Sequence, residues 1–444
     1  MRFVSARLVM TTAAAGVLLV AAIPAARAVP PTGAADPAVI TEWNEIAVNT
    51  ITLPAPDGGG KANAEGFLWN AFAQAAVYNA VNGITREYEL YEWNAKAPKG
   101  ASPQAAAAVA AHAVLMEYFG TGDFPHSATI AANLNSALAT SLGRIPDGVS
   151  KMQGVRYGER AAEHIVDLRR DDGRFAPIVF SKPVAAGVWR PTPPAMAPFF
   201  DPWLGFIDPL VIESTSQFRP GPPPAIHSET YETEFAEVRD FGASPGTPGL
   251  LRTAVQTQTA RFFSDIAPGR LQAGLRDLAT RRGMDISDSA RMFAAVDLSL
   301  ADSVSAVWEA KYFYGWWRPI TAIREDDGNP DTVGNPTWTP LIGTPPYPDW
   351  PSGLSGVIGA LSTTLTLLNG SVDLYLTSAA ADGPGPPPPP PVTRYYGTAA
   401  HIQQDVIDAR VWSGIHFRMA DEVGVAMGAQ VASWALGHHF APSS

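Results

Sequence analysis

The chain has 444 residues, 46% of them hydrophobic, with 31 basic residues against 42 acidic and no cysteine. A net charge of −11 provides no general positive field for nucleic acid or an anionic membrane, so neither is expected as a partner. The lack of cysteine excludes disulfides, haem-thiolate ligation and thiolate metal sites, which leaves burial as the source of stability.

Residues 1–28 have the layout of a cleaved secretory leader. Arg2 and Arg7 give a basic start, "LVMTTAAAGVLLVAA" is a short apolar run, and Ala26-Arg27-Ala28 is a small-residue exit. The run is short for a bilayer span, and no later segment reads as one. The protein is therefore expected to be secreted or extracytoplasmic. Loss of Arg2, Arg7 and Arg27 leaves 28 basic against 42 acidic residues, a balance of −14. The remaining chain, 29–444, is long enough for one large domain with a substantial core.

From Asn44 to about Gly83 apolar residues recur at helical spacing around an exposed insert, "APDGGGKANAEG". "SPQAAAAVAAHAVLMEYFG" follows, with Ser102 as N-cap, Pro103 in the first turn and Gly120 as the stop. Two more alanine-dense helices are expected up to about residue 173. Residues 176–226 are rich in proline and aromatics with little periodicity. They read as an ordered loop draped over the helices, since Trp189, Phe199, Phe200 and Trp203 would not be left wet. Helical pattern returns at 228–241, 251–264, 268–282 and 288–313, then at 352–368, 393–411 and 416–436. The run "GPGPPPPPP" at 383–391 reads as an exposed polyproline II connector. No series of alternating strands and no Gly-rich nucleotide loop appears, so the expected class is all-α, a helical bundle with long Pro-rich loops.

Three clusters suit an oxyanion. "WEAKYFYGWWRP" holds Lys311, a mobile point charge, and Arg318, a planar fork; a continuous helix would place both on one face. In "YPDWPSGLSG", Ser352 offers a hydroxyl and Gly353 a backbone N–H with no side chain in the way. "ARVWSGIHFRMAD" supplies Arg410 and His416, with Gly414 permitting a bend between them. An imidazole can ligate a metal or attack phosphorus through one nitrogen while the other donates to an orienting group. Together these residues suit a small anion with several oxygens.

The order Lys-x6-Arg-Pro, Pro-Ser-Gly, Arg-x5-His resembles the vanadium-dependent haloperoxidases and the type 2 acid phosphatases that share their anion site. "QFRPGPPPAI", "WEAKYFYGWWRPITAIR", "GIHF" and "WRPTPPA" resemble the secreted bacterial haloperoxidase-like branch, and the likeness covers most of the chain beyond the leader. The resemblance implies the helical-bundle fold of that superfamily and vanadate as cofactor. Lys311, Arg318, Ser352, Gly353 and Arg410 would bind its oxygens, and His416 would be the metal ligand. Trp308, Tyr347 and Leu354 would line the pocket, in a site drawn from 308–319, 347–354 and 410–421. Hydrogen peroxide, a halide and a small organic acceptor would be the partners. In the phosphatase relatives phosphate esters take their place, with the residue at His416 as nucleophile. A homo-oligomer is compatible with either activity.

Leu354 departs from the pattern, because the family continues Pro-Ser-Gly with a histidine that acts as acid/base. Leucine carries no proton. A non-catalytic anion-binding protein is thus a third reading beside the peroxidase and the phosphomonoesterase. Phosphatases often place Asp four residues after the nucleophilic His; here Ala420 stands there and Asp421 follows, close enough to orient His416 if the helix start differs. His401, His438 and His439 are expected at the surface or in packing roles.

Overall fold

The computed structural model describes residues 35–443, apart from 62, 123, 267, 326 and 380–389. The expected leader and positions 383–389 of the proline run lie outside the described residues. Among those described the chain forms thirteen α-helices and one β-hairpin. In chain order these are α1 (Ala38–Thr52), α2 (Asn63–Thr85), α3 (Pro103–Leu115), α4 (Ser127–Gly143), α5 (Val149–Leu168), α6 (Glu229–Gly242), α7 (Ala254–Ser264) and α8 (Pro268–Arg282). Then come α9 (Ile286–Tyr314), α10 (Pro319–Arg324), α11 (Gly353–Asn369), the strands β1 (Leu374–Ser378) and β2 (Val392–Tyr396), α12 (Ala399–Trp412) and α13 (Arg418–His438).

The bundle is built around α9. Every residue from Met292 to Lys311 is buried, as fits a helix whose Ala, Val, Leu and Ser residues are distributed around its whole circumference. It packs against α2, α11 and α13. Asp285 caps its N-terminus by accepting from the Asp288 N–H at 2.8 Å. Gly315, with φ of 60°, ends it in the left-handed conformation that glycine adopts without steric cost. On the far side of the bundle α3 packs on α5, and Ser102 caps α3 ahead of Pro103 as the sequence indicates.

The contact between α11 and α13 fixes the functional geometry. The two helices run parallel, and glycines bring their backbones together. A Cβ at Gly428 would lie 1.9 Å from the Gly356 carbonyl oxygen, and one at Gly359 would lie 2.2 Å from that of Val425. At the leading end the Ser352 N–H donates to the Ala420 carbonyl at 2.8 Å. Substituting Gly428→Ala is therefore expected to destabilise the protein by about 1–3 kcal/mol, because backbone atoms cannot move aside as a flexible side chain can. A lowered urea midpoint would register it; an unchanged midpoint would mean the helices separate freely.

The 176–226 segment lies on the bundle as the sequence suggests. Trp189, Phe199 and Trp203 are buried, and Phe200 is half-buried. One carboxylate pins it: Asp302 on α9 accepts from the backbone N–H groups of Leu210, Val211 and Ile212 at 2.6–3.0 Å. The helix expected over 393–411 is shorter than its pattern. Residues 392–396 instead pair as β2 with β1, Leu374 opposite Tyr396, in an antiparallel hairpin. The run Val392-Thr393-Arg394-Tyr395-Tyr396 is β-branched and aromatic, and Tyr375 and Tyr395 pack across the strands with ring centroids 4.9 Å apart. Residues 35–443 pack as one unit, and no described helix is long and apolar enough to cross a membrane.

Candidate anion site

Lys311 sits in the last turn of α9, but Arg318 does not share its helix face. The left-handed Gly315 ends α9, the chain turns through Trp316 and Trp317, and Arg318 becomes the residue before Pro319, the first position of α10. The glycine and the proline together override the two-turn helical spacing. The two cations still converge, because the turn folds back on itself.

The 347–353 stretch closes over them. Lys311 Nζ donates to the carbonyls of Pro348 at 2.6 Å and Asp349 at 3.0 Å, and Arg318 Nε donates to that of Tyr347 at 2.7 Å. Ser352 occupies the N-cap of α11, yet its hydroxyl makes no capping bond. Gly353 opens the helix with its N–H free of any intrahelical partner. A Cβ at Gly353 would come within 3.1 Å of the Trp308 ring, so the backbone lies against that indole.

The third segment arrives from α12. Arg410 lies in its last turn, and Gly414, with φ of 77°, allows the bend that brings His416 inward just before α13 begins. Arg318 Nη1 donates to the Ile415 carbonyl at 2.7 Å and lies 3.1 Å from His416 Nε2. The residues expected from three stretches thus meet in one place. Lys311, Arg318 and Ser352 are completely buried, with His416 and Arg410 nearly so.

Within this cluster several buried polar atoms have no partner: the donors Arg318 Nη2, Arg410 Nε and Ser352 Oγ, and the acceptors Asp349 Oδ1, Asp349 Oδ2 and Asp421 Oδ2. Orphaned donors in an interior are costly unless something accepts from them. These three donors, two of them on guanidinium groups, together with Lys311 are the complement of an oxyanion. Burial, then repulsion from Arg318, pulls the Lys311 ammonium well below its ordinary pKa; burial likewise lowers Arg318 and Arg410. Burial, then the neighbouring Arg318, Arg410 and Lys311, hold His416 well below the usual imidazole range. An anion at the centre would restore every cationic form. The donor set therefore fits a tetrahedral oxyanion such as vanadate or phosphate.

Two aromatic rings form the roof. Tyr347 lies 4.8 Å from the Arg318 guanidinium and 5.0 Å from Lys311 Nζ, and its ring centroid is 4.8 Å from that of Trp308. The Trp308 indole donates to the Phe200 carbonyl at 3.1 Å, tying the proline-rich segment to the site. Leu354 is half-buried and packs against the main apolar core. None of the other histidines weighed in the sequence makes a contact with the cluster. His401 is exposed with its ring against Tyr396, His438 stacks on Trp434, and His439 packs beside Tyr91.

Two carboxylates complete the centre. Asp421 does not reach His416; it accepts from the Ser355 hydroxyl at 2.8 Å, and burial drives its pKa well above the ordinary value. The carboxylate at the histidine is Asp349, fully buried, with Oδ1 2.6 Å from His416 Nδ1 and 3.6 Å from Arg318 Nη1. Burial pushes Asp349 up to about 7, against the pull of Arg318 and Lys311. Sequence reasoning passed over it: no spacing rule ties position 349 to 416. The available signal was an acid set among prolines and aromatics two residues before Pro351.

Residues 291–442 match the family model of the VCPO second helical-bundle domain. A stretch of 85 residues is 38% identical to the vanadium chloroperoxidase of Curvularia inaequalis, covering 17% of this chain and 14% of that protein. The sequence match thus spans about a seventh of that relative's length. Among solved structures, a bacterial vanadium-dependent iodoperoxidase superimposes with a TM-score of 0.73 at 23% identity, covering 92% of this chain and 96% of the other. A holo-type bacterial vanadium-dependent chloroperoxidase gives 0.68 at 17% identity, over 91% and 97%. The chain has the helical-bundle fold of the vanadium haloperoxidases, and its residues 291–442 are similar to the second helical-bundle domain of the VCPO model.

Proposed function

We propose that this chain is a vanadium-dependent haloperoxidase-like enzyme that uses hydrogen peroxide to oxidise halide, with a small organic molecule as final acceptor. The observation that carries the reading is the set of unpartnered buried donors, Arg318 Nη2, Arg410 Nε and Ser352 Oγ, gathered beside Lys311 and His416. Lys311, Arg318, Arg410, Ser352 and the Gly353 N–H would hold the vanadate oxygens, and His416 would be the metal ligand. Bound vanadate supplies Lewis acidity that lowers the pKa of an oxygen ligand. The buried cations stabilise negative charge that develops on those oxygens, in surroundings where such interactions are strong. Trp308 and Tyr347 keep bulk water from the centre. Leu354 holds no proton, so acid–base assistance from that position is missing. The leader-like 1–28 segment favours work outside the cytoplasm.

Phosphomonoester hydrolysis with His416 as nucleophile is the second reading, favoured by the carboxylate at its Nδ1. Aryl phosphates would be its best substrates, since their leaving groups tolerate loss of an acid. Equilibrium binding of orthovanadate to the purified protein, followed by bromination of a phenolic reporter with peroxide, tests both. The expected result is saturable binding at one site and turnover above that of free vanadate. Vanadate binding without bromination, but with hydrolysis of an aryl phosphate that vanadate inhibits, would transfer the assignment to the phosphatase. No vanadate binding would remove both.

A further inference from the structure

The helices α6 and α12 end side by side, and each ends with carbonyls that its own turns cannot serve. One side chain serves both. Arg252, buried just ahead of the α7 N-cap, places Nη1 2.5 Å from the Phe241 carbonyl, 2.8 Å from that of Ala243 and 3.0 Å from that of Trp412. Its Nε donates to the Thr257 hydroxyl at 2.9 Å, which fixes the plane of the guanidinium. Burial, then Arg261, lower its pKa to about 10, so it stays charged at neutral pH. No carboxylate is among the groups that shift it; the negative ends of two helices take that part.

The clamped junction lies against the turn that leads to His416. A Cβ at Gly414 would lie 2.3 Å from the Gly242 carbonyl oxygen, so the turn rests directly on the end of α6. Within the turn, Ser413 N–H donates to the Ala409 carbonyl and Gly414 N–H to that of Val411, both at 2.9 Å. Those bonds shape the turn without placing it in the bundle. From outside, Arg318 holds the Ile415 carbonyl, and the Ile342 N–H reaches that of Ser413 at a longer 3.4 Å. Arg252 adds the hold on Trp412, two residues after Arg410 and four before His416.

We propose that Arg252 is a positioning residue of the anion site: by clamping the ends of α6 and α12 together it sets where α12 presents Arg410 and where the Gly414 turn delivers His416. The inference rests on the reading of those two side chains as groups that hold the guest. Arg252 itself touches neither of them and acts through the backbone.

The test reads the backbone amide of His416 in the full chain, with no oxyanion present. The sequence has two Ile-His steps, 226–227 and 415–416, so 13C-carbonyl isoleucine with 15N-histidine gives two correlated signals. His227→Gln, at an exposed position, removes one and assigns the other. In Arg252→Met, unbranched and uncharged, the His416 signal should move. Vanadate affinity should fall about 10–100-fold, the range for groups that orient a ligating residue. Ser102→Ala uncaps α3 on the far side of the bundle; it lowers stability too and should leave both readings unchanged. Arg252→Lys should restore both, because an ammonium has one hydrogen for each of the three carbonyls. An Arg252→Met protein that folds with either the His416 signal or the vanadate affinity of the wild type would overturn the proposal. Should that variant not fold, Thr257→Val decides, since it removes the acceptor of Arg252 Nε: the signal should move by less, and one left in place refutes the clamp. Vanadate failing to bind the wild type would instead strike the proposed function, because the amide signal is read without it.

Discussion

Leu354→His is expected to raise vanadate-dependent bromide oxidation by about 10²-fold or more, the range that a positioned general acid–base group contributes. Residue 354 follows directly on Ser352 and Gly353, at the first turn of α11, so an imidazole there begins within reach of the donors it would assist. The leucine is half-buried against the core, and histidine is smaller and tolerates a half-exposed setting, so the fold should survive. Steady-state rates with vanadate, peroxide and bromide, set against aryl phosphate hydrolysis by the same variant, measure the gain. A gain confined to phosphate esters would identify the scaffold as a phosphatase. No gain in either reaction, with vanadate still bound, would favour a protein that captures oxyanions without transforming them.

Arg318→Ala should do the most damage. The guanidinium joins three parts of the site: it donates to the Tyr347 and Ile415 carbonyls, contacts His416, and lies 3.6 Å from the Asp349 carboxylate. Its removal leaves a buried acid without its nearest cation and two carbonyls without partners. Breaking a buried pair from one side costs about 3–5 kcal/mol. Urea unfolding should show a loss of that order, and vanadate affinity should fall by at least about 10²-fold. Arg318→Lys should rescue little, because an ammonium cannot span the same separate acceptors. A variant as stable as wild type that still binds vanadate would mean that Arg318 is neither the anchor of the loop nor part of the cradle.

The helical class and the convergence of Lys311, Arg318, Ser352, Arg410 and His416 were legible because short-range signals carry them. Apolar periodicity marks the buried faces, and the three motifs keep their internal spacing wherever the chain takes them. Other features depended on contacts distant in sequence. The partnership of Asp349 with His416 spans 67 positions and exists only because α12 returns beside the 347–353 loop. The hairpin at 374–396 competed with a helical reading of the same residues, and pairing with β1 decided it. The turn at Gly315 shows a milder limit. A glycine and a proline four residues apart signal a break, but whether two cations re-converge across it depends on where the chain goes next.

The parallel, glycine-lined contact of α11 and α13 has one more consequence. Two helices side by side in the same sense aim like macrodipoles alike, and their positive ends meet where the cations are gathered. Without a guest, that corner of the protein is electrostatically loaded, and an anion relieves the load as it binds. The folded state should accordingly gain thermal resistance from oxyanion supply alone, by about 2.7 kcal/mol at a hundredfold excess over the dissociation constant.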